Sequence, residues 1–91
     1  MNVLQKRSFE RAYKKLHPNQ KDDTDAAIRA ILANLKIGEA KIGDLSGVYV
    51  HKFKMVGQLT LLAYQLDNGE FTLVLLALDP HENFYKNLKT N

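Results

Sequence analysis

The chain predicts an α+β fold, with an N-terminal helical hairpin packed on an antiparallel sheet of three to four strands and a short C-terminal helix. Three observations carry this. Apolar residues recur at helical spacing up to Leu35. After Gly47 the chain turns β-branched and aromatic, with polarity alternating at a period of two. The connections between these later runs are short enough for hairpins. A composition of 45% hydrophobic and 25% charged residues excludes a disordered chain, and 91 residues predict one domain spanning 1–91.

In the first helix, Phe9, Ala12, Tyr13 and Leu16 recur at i, i+3, i+4 and i+7, with Arg7, Glu10, Arg11, Lys14 and Lys15 between them. This reads as Ser8–Leu16, with Ser8 as N-cap and Pro18 as terminator. Residues 2–6 suit a short edge strand. In the second helix Ile28, Ile31, Leu32 and Leu35 form the apolar stripe. Its start is either Pro18, a first-turn proline, or a later cap at Thr24, where Asp22, Asp23 and Asp25 would meet the helix dipole. The glycines between Ile37 and Gly47 mark loop.

Val48–Met55 and Leu59–Leu66 read as strands joined tightly through Val56-Gly57. Asn68-Gly69 at the centre of the next turn leads to a third strand, Phe71–Leu78, closed by Asp79-Pro80. Asn83–Leu88 suits a final helical turn or two.

No cysteine is present, which removes disulfides and thiolate metal sites. The N-terminus lacks a signal-peptide stretch, and no apolar run approaches a membrane span. The net charge of +3 permits an acidic or nucleic-acid partner without demanding one.

Alternation puts Tyr49, His51, Phe53 and Met55 on one face of their strand. Val48, Val50, Lys52 and Lys54 take the other. Two adjacent ammonium groups repel, so Lys52 and Lys54 are either a solvated strand face or an anion site. His81 follows the third strand and can serve acid–base chemistry or simply meet solvent. Tyr85 lies four residues on and can stack on a base or pack on the sheet. His51 reads as core or rim. A metal site from His51, Asp79, His81 and Glu82 has no recognised ligand spacing.

Three stretches carry a likeness: Phe9–Leu16 (FERAYKKL), Gly43–Gly47 (GDLSG), and His51–Met55 (HKFKM) followed by Leu61–Tyr64 (LLAY). With the order of elements, they resemble toxins of the RelE/ParE superfamily from bacterial type II toxin–antitoxin modules. RelE-like and YafQ-like members cut messenger RNA in the ribosomal A site, whereas ParE-like members inhibit DNA gyrase. In the RelE-like branch, basic side chains on the central strand flank the scissile phosphate, and Lys52 and Lys54 match them. In the YafQ-like branch a histidine after the last strand is followed four residues later by an aromatic, matched by His81 and Tyr85.

The resemblance therefore implies a cytoplasmic, metal-independent messenger endoribonuclease needing no cofactor, with Lys52, Lys54, His81 and Tyr85 catalytic. Lys52, Lys54 and Lys86 would bind RNA. Its partners would be the ribosome, messenger RNA and a cognate antitoxin. One departure stands out: RelE-like enzymes carry an arginine on the second hairpin strand, and this chain has none after Arg29. A gyrase inhibitor, or a degenerate toxin that only binds its antitoxin, is the alternative.

Overall fold

The computed structural model describes residues 1–80, so the expected C-terminal helix and the candidates His81, Tyr85 and Lys86 lie outside the described residues. In chain order the elements are β1 (Asn2–Gln5), α1 (Arg7–Lys14), α2 (Pro18–Ala33) and β2 (Glu39–Ala40). A 3-10 turn (Gly43–Leu45) follows, then β3 (Tyr49–Met55), β4 (Gln58–Asp67) and β5 (Thr72–Pro80). The α+β class and the β3–β4–β5 meander are as expected. Among the described residues the sheet is larger, with five strands in the order β1-β5-β4-β3-β2. β1 runs parallel to β5, and the other described pairings are antiparallel. β1 is the edge strand expected within residues 2–6, and the unexpected strand is β2, whose two residues are too few to leave a pattern in the sequence.

α1 spans Arg7–Lys14 rather than Ser8–Leu16, and its N-cap is Lys6, two residues before the expected Ser8. The chain enters it straight from β1, and the Lys6 N–H donates to the Leu75 carbonyl at 2.9 Å. α2 starts at Pro18, with His17 as N-cap. The His17 N–H donates to Gln20 Oε1 at 2.8 Å, satisfying a donor at the helix start. Thr24 is thus a mid-helix residue whose hydroxyl donates to the Gln20 carbonyl at 2.9 Å. The aspartates bind elsewhere: Asp25 accepts from the Tyr13 hydroxyl at 2.8 Å, which helps raise the Tyr13 pKa.

Both helices pack on one face of the sheet, where Phe9 and Ile31 meet Leu62, Tyr64, Leu73, Leu75 and Leu78. Each such side chain removed from water contributes about 1.5–3 kcal/mol. The buried residues of α2 are Thr24, Ala27 and Ile31. Leu32, expected in the stripe, is 39% exposed. Ile28, Leu35 and Tyr13, expected largely buried, are only half-buried. The helix is rotated so that small side chains face the sheet. Apolar periodicity cannot register that choice, because Thr24 counts as polar until its hydroxyl is satisfied.

Candidate functional site

β3 divides its side chains as alternation dictates. Tyr49 and Phe53 join the helix-side core, and Met55 receives a hydrogen bond from the Thr24 hydroxyl at 3.4 Å. Lys52 and Lys54 point to the sheet face opposite α1 and α2 and are exposed. β2 pairs with β3 at Tyr49 and Val50, before the lysine positions.

That face has an apolar floor. Val50, Leu61, Ala63 and Ala77 form a second buried cluster, with Val48 and Leu76 packed against it. In register, Lys52 is opposite Leu61, which is opposite Asp79. Lys54 is opposite Leu59. A bulge makes the Lys52–Leu61–Asp79 row possible. Ala63 pairs with Ala77 and Tyr64 with Leu75, so Leu76 is an extra residue and the alternation of β5 shifts there. Leu73, Leu75 and Leu78 consequently face the helices, while Asp79 shares a face with Lys52. The described chain ends at Pro80, opposite Thr60 and hence in the row between those of the two lysines.

The hairpin holding the lysines is anchored to α2. Its two-residue loop puts both Val56 (φ 50) and Gly57 (φ 81) at positive φ, as a primed hairpin turn requires. For β-branched Val56 that conformation is strained. The Val56 N–H donates to Asp23 Oδ2 at 2.8 Å, bracing the turn.

Electrostatics around the lysines are mixed. On neighbouring β2, Glu39 is held below its ordinary pKa by the hydrogen bond from Lys41 at 3.1 Å and by the charge of Lys41, with Lys52 adding a weaker attraction. His51 lies on the opposite face, stacked on Phe53 with ring centroids 6.2 Å apart. Burial pushes its pKa down. His51 and Asp79 lie on opposite faces, and the described residues contain no cluster of metal-ligating side chains.

A second cationic group lies where β1 leaves the sheet. β1 covers β5 only as far as Leu75. Beyond it an open cleft of about 740 Å³ is bordered by Lys6, Arg7, Arg11 and Lys15 from the start and exposed side of α1. Its apolar wall is Leu45, Val48, Leu76 and Leu78, and Asp79 lies at its margin. In the sequence Arg7, Arg11 and Lys15 simply fill positions between the apolar ones of α1. The available signal was their i, i+4, i+8 spacing at Arg7, Arg11 and Lys15, a single line along the helix.

The structure places Lys52 and Lys54 on one sheet face and gathers Lys6, Arg7, Arg11 and Lys15 at a separate cleft. A helical hairpin packed on one face of a five-stranded sheet is the fold of RelE/ParE-like toxins. The chain superposes on an Escherichia coli RelE double-arginine mutant in the free state (TM-score 0.75, 12% identity, covering 98% of this chain and 90% of that one). The YoeB/ParE toxin from Agrobacterium tumefaciens is similar (TM-score 0.73, 15% identity, 89% and 99% covered). So is a chain of the intact E. coli RelBE toxin–antitoxin complex (TM-score 0.69, 14% identity, 87% and 94% covered). No curated protein matches the sequence. The family's sequence model matches residues 3–89, and the chain belongs to the ParE-like toxins of type II bacterial toxin–antitoxin systems.

Proposed function

We propose that this toxin is a ribosome-dependent messenger endoribonuclease that inhibits translation, held inactive by a cognate antitoxin. The observation that carries the reading is the pair Lys52 and Lys54, exposed side by side on the sheet face opposite α1 and α2. Leu61, buried beside Lys52 in the adjacent strand, keeps the floor of that face apolar. Two adjacent cations suit a phosphate that gains charge during reaction, because each stabilises the added negative charge.

RNA cleavage by its own 2′-hydroxyl requires that hydroxyl to lose a proton and attack phosphorus. The bond to the 5′-oxygen then breaks, and that oxygen takes a proton. In this reading Lys52 and Lys54 stabilise the phosphorane-like charge. His81 is joined directly to Pro80, the last described residue, which lies between the lysine rows. It serves as acid or base. Tyr85 stacks on or orients a nucleotide, and Lys86 adds a phosphate ligand. Partnership with an antitoxin accords with the likeness to the RelBE complex. Cytoplasmic action accords with the ribosomal target, and among the described residues no helix is long and apolar enough to cross a membrane.

The test is incubation with programmed ribosomes, followed by mapping of messenger 5′ ends. New ends within the A-site codon support the reading, and intact messenger overturns it. One observation favours a second reading: the chain carries no arginine after Arg29, so β4 and β5 hold none. A gyrase inhibitor needs no phosphate fork on that strand. Loss of supercoiling by purified gyrase, with messenger intact, establishes that reading instead. Neither effect would leave a degenerate toxin that only binds its antitoxin.

A further inference from the structure

The outer edge of β3 is covered only in part. β2 pairs with it at Tyr49 and Val50, and the Lys41 N–H donates to the Val48 carbonyl at 2.9 Å. That bond shows the backbone of Val48 pointing to the outer edge. Alternation along an unbroken ladder with β4 gives Val50, Lys52 and Lys54 the same direction, while His51, Phe53 and Met55 bond to β4. Beyond Val50, no strand among the described residues lies against Lys52 and Lys54. Where the cover ends, a hollow of about 320 Å³ opens between Ile37 and Glu39 on one side and Val50, His51 and Lys52 on the other. The open length stops at the turn, where Asp23 accepts from the Val56 N–H.

We propose that this open edge of β3 is a docking site for an acidic extended segment of a partner protein, which adds a strand beyond β2 and sets carboxylates opposite Lys52 and Lys54. Two features of the edge act together. The outward backbone N–H and C=O groups of Lys52 and Lys54 offer a ladder to an incoming strand. Their side chains are exposed on one face and select that strand by charge. Opposite charges across neighbouring strands attract, and like charges repel. A second copy of this chain laid antiparallel about Phe53 would set Lys52 against Lys54, so the edge rejects its own kind. RNA meets the ammonium groups but offers no row of donors and acceptors at strand spacing. Glu39 faces Val50 from β2, and an acid two positions further along the edge would face Lys52 in the same way. Apolar residues alternating with the acids would lie on the face of His51 and Phe53, both half-buried. Strand addition requires no catalytic role for either lysine. Under the ribonuclease reading it would also cover the cationic site.

The test is backbone amide hydrogen exchange, followed by NMR, with a short acetylated peptide of alternating glutamate and valine as the probe. In the free protein the amides of His51 and Phe53 are held by β4 and should exchange slowly, and those of Lys52 and Lys54 should exchange fast. The peptide should slow the Lys52 and Lys54 amides. The same peptide N-methylated at every residue keeps its charge, has no donors for the ladder, and should not slow them. Lys52→Glu/Lys54→Glu should weaken binding of the glutamate peptide about tenfold and gain binding of a lysine–valine peptide. The charge-matched control Lys14→Glu/Arg29→Glu, at exposed positions on the helices, should bind the glutamate peptide much as the parent does. Circular dichroism confirms the folding of both variants before comparison.

A glutamate peptide that leaves the Lys52 and Lys54 amides exchanging as before overturns the added strand, and the lysines then only blunt this edge. Equal binding by the N-methylated peptide reduces the contact to charge and overturns it too, as does an equal loss in the control variant. Slow Lys52 and Lys54 amides in the free protein would show an edge already covered, and also overturn it. The ribonuclease reading stands or falls separately, on messenger cleavage by the parent on programmed ribosomes.

Discussion

The carboxylate of Asp23 in α2 accepts a hydrogen bond from the backbone N–H of Val56, 33 residues away, at 2.8 Å. It joins the helical hairpin to the strand hairpin that presents Lys52 and Lys54. The turn needs this brace because Val56 has φ 50, a conformation that β-branched residues resist.

Asp23→Ala should therefore destabilise the fold by about 1 kcal/mol, since it removes a charge-assisted hydrogen bond at a partly exposed site. Val56→Asn should stabilise it by about 1 kcal/mol, because asparagine accepts the left-handed conformation more readily. Urea unfolding of both variants measures the two effects. Equal midpoints for parent and Val56→Asn would show that the turn carries no strain.

Tyr64 closes the other end of the helical hairpin. Its hydroxyl donates to the Leu35 carbonyl at 2.8 Å and accepts from the Gly38 N–H at 3.0 Å. Tyr64→Phe leaves both backbone groups without this partner and should cost about 1–3 kcal/mol. A Cβ on Gly38 would meet the Tyr64 hydroxyl at 2.9 Å and the Val50 backbone at 3.1 Å. Gly38→Ala should lower the thermal midpoint as well, and a midpoint equal to the parent's would contradict the close approach.

His51 should make stability depend on pH. Burial lowers its folded pKa, so between the folded and unfolded values the unfolded chain binds more protons. The contribution is fully present above about pH 6.5, the ordinary histidine value, and is lost as pH falls through the folded value. His51→Gln should flatten this part of the stability–pH curve. An unchanged curve would assign the dependence to other groups.

Under the ribonuclease reading, His81→Ala should slow cleavage of ribosome-bound messenger by roughly 10²–10⁴-fold with little change in binding. Lys52→Ala/Lys54→Ala should weaken both binding and cleavage, with the binding loss greatest at low salt. Lys52 and Lys54 are exposed, so their replacement should cost under about 1 kcal/mol of stability. A folded His81→Ala protein that cuts at the parental rate removes His81 from the mechanism.

Local spacing in the sequence determined the helix–helix–meander order, the two hairpin turns and the common face of Lys52 and Lys54. Each depends on residues within one element or turn, where a period of 3.6 or 2 and a Val56-Gly57 or Asn68-Gly69 signal suffice. Only the tertiary structure decided which face of α2 is buried. Packing against the sheet selected Thr24, Ala27 and Ile31 over the more apolar line through Leu32. It also decided that Asp79 shares a face with Lys52, because the extra residue Leu76 shifts the alternation of β5 and a bulge leaves no mark in the polarity pattern. The placement of Arg7 and Arg11 over a cleft with Leu76 and Asp79 of β5 depends on β1 pairing with β5 across some 70 intervening residues, as in Asn2 opposite Thr72. Strand pairing over such a separation is set by packing of the whole sheet, and no periodicity within α1 or β5 encodes it.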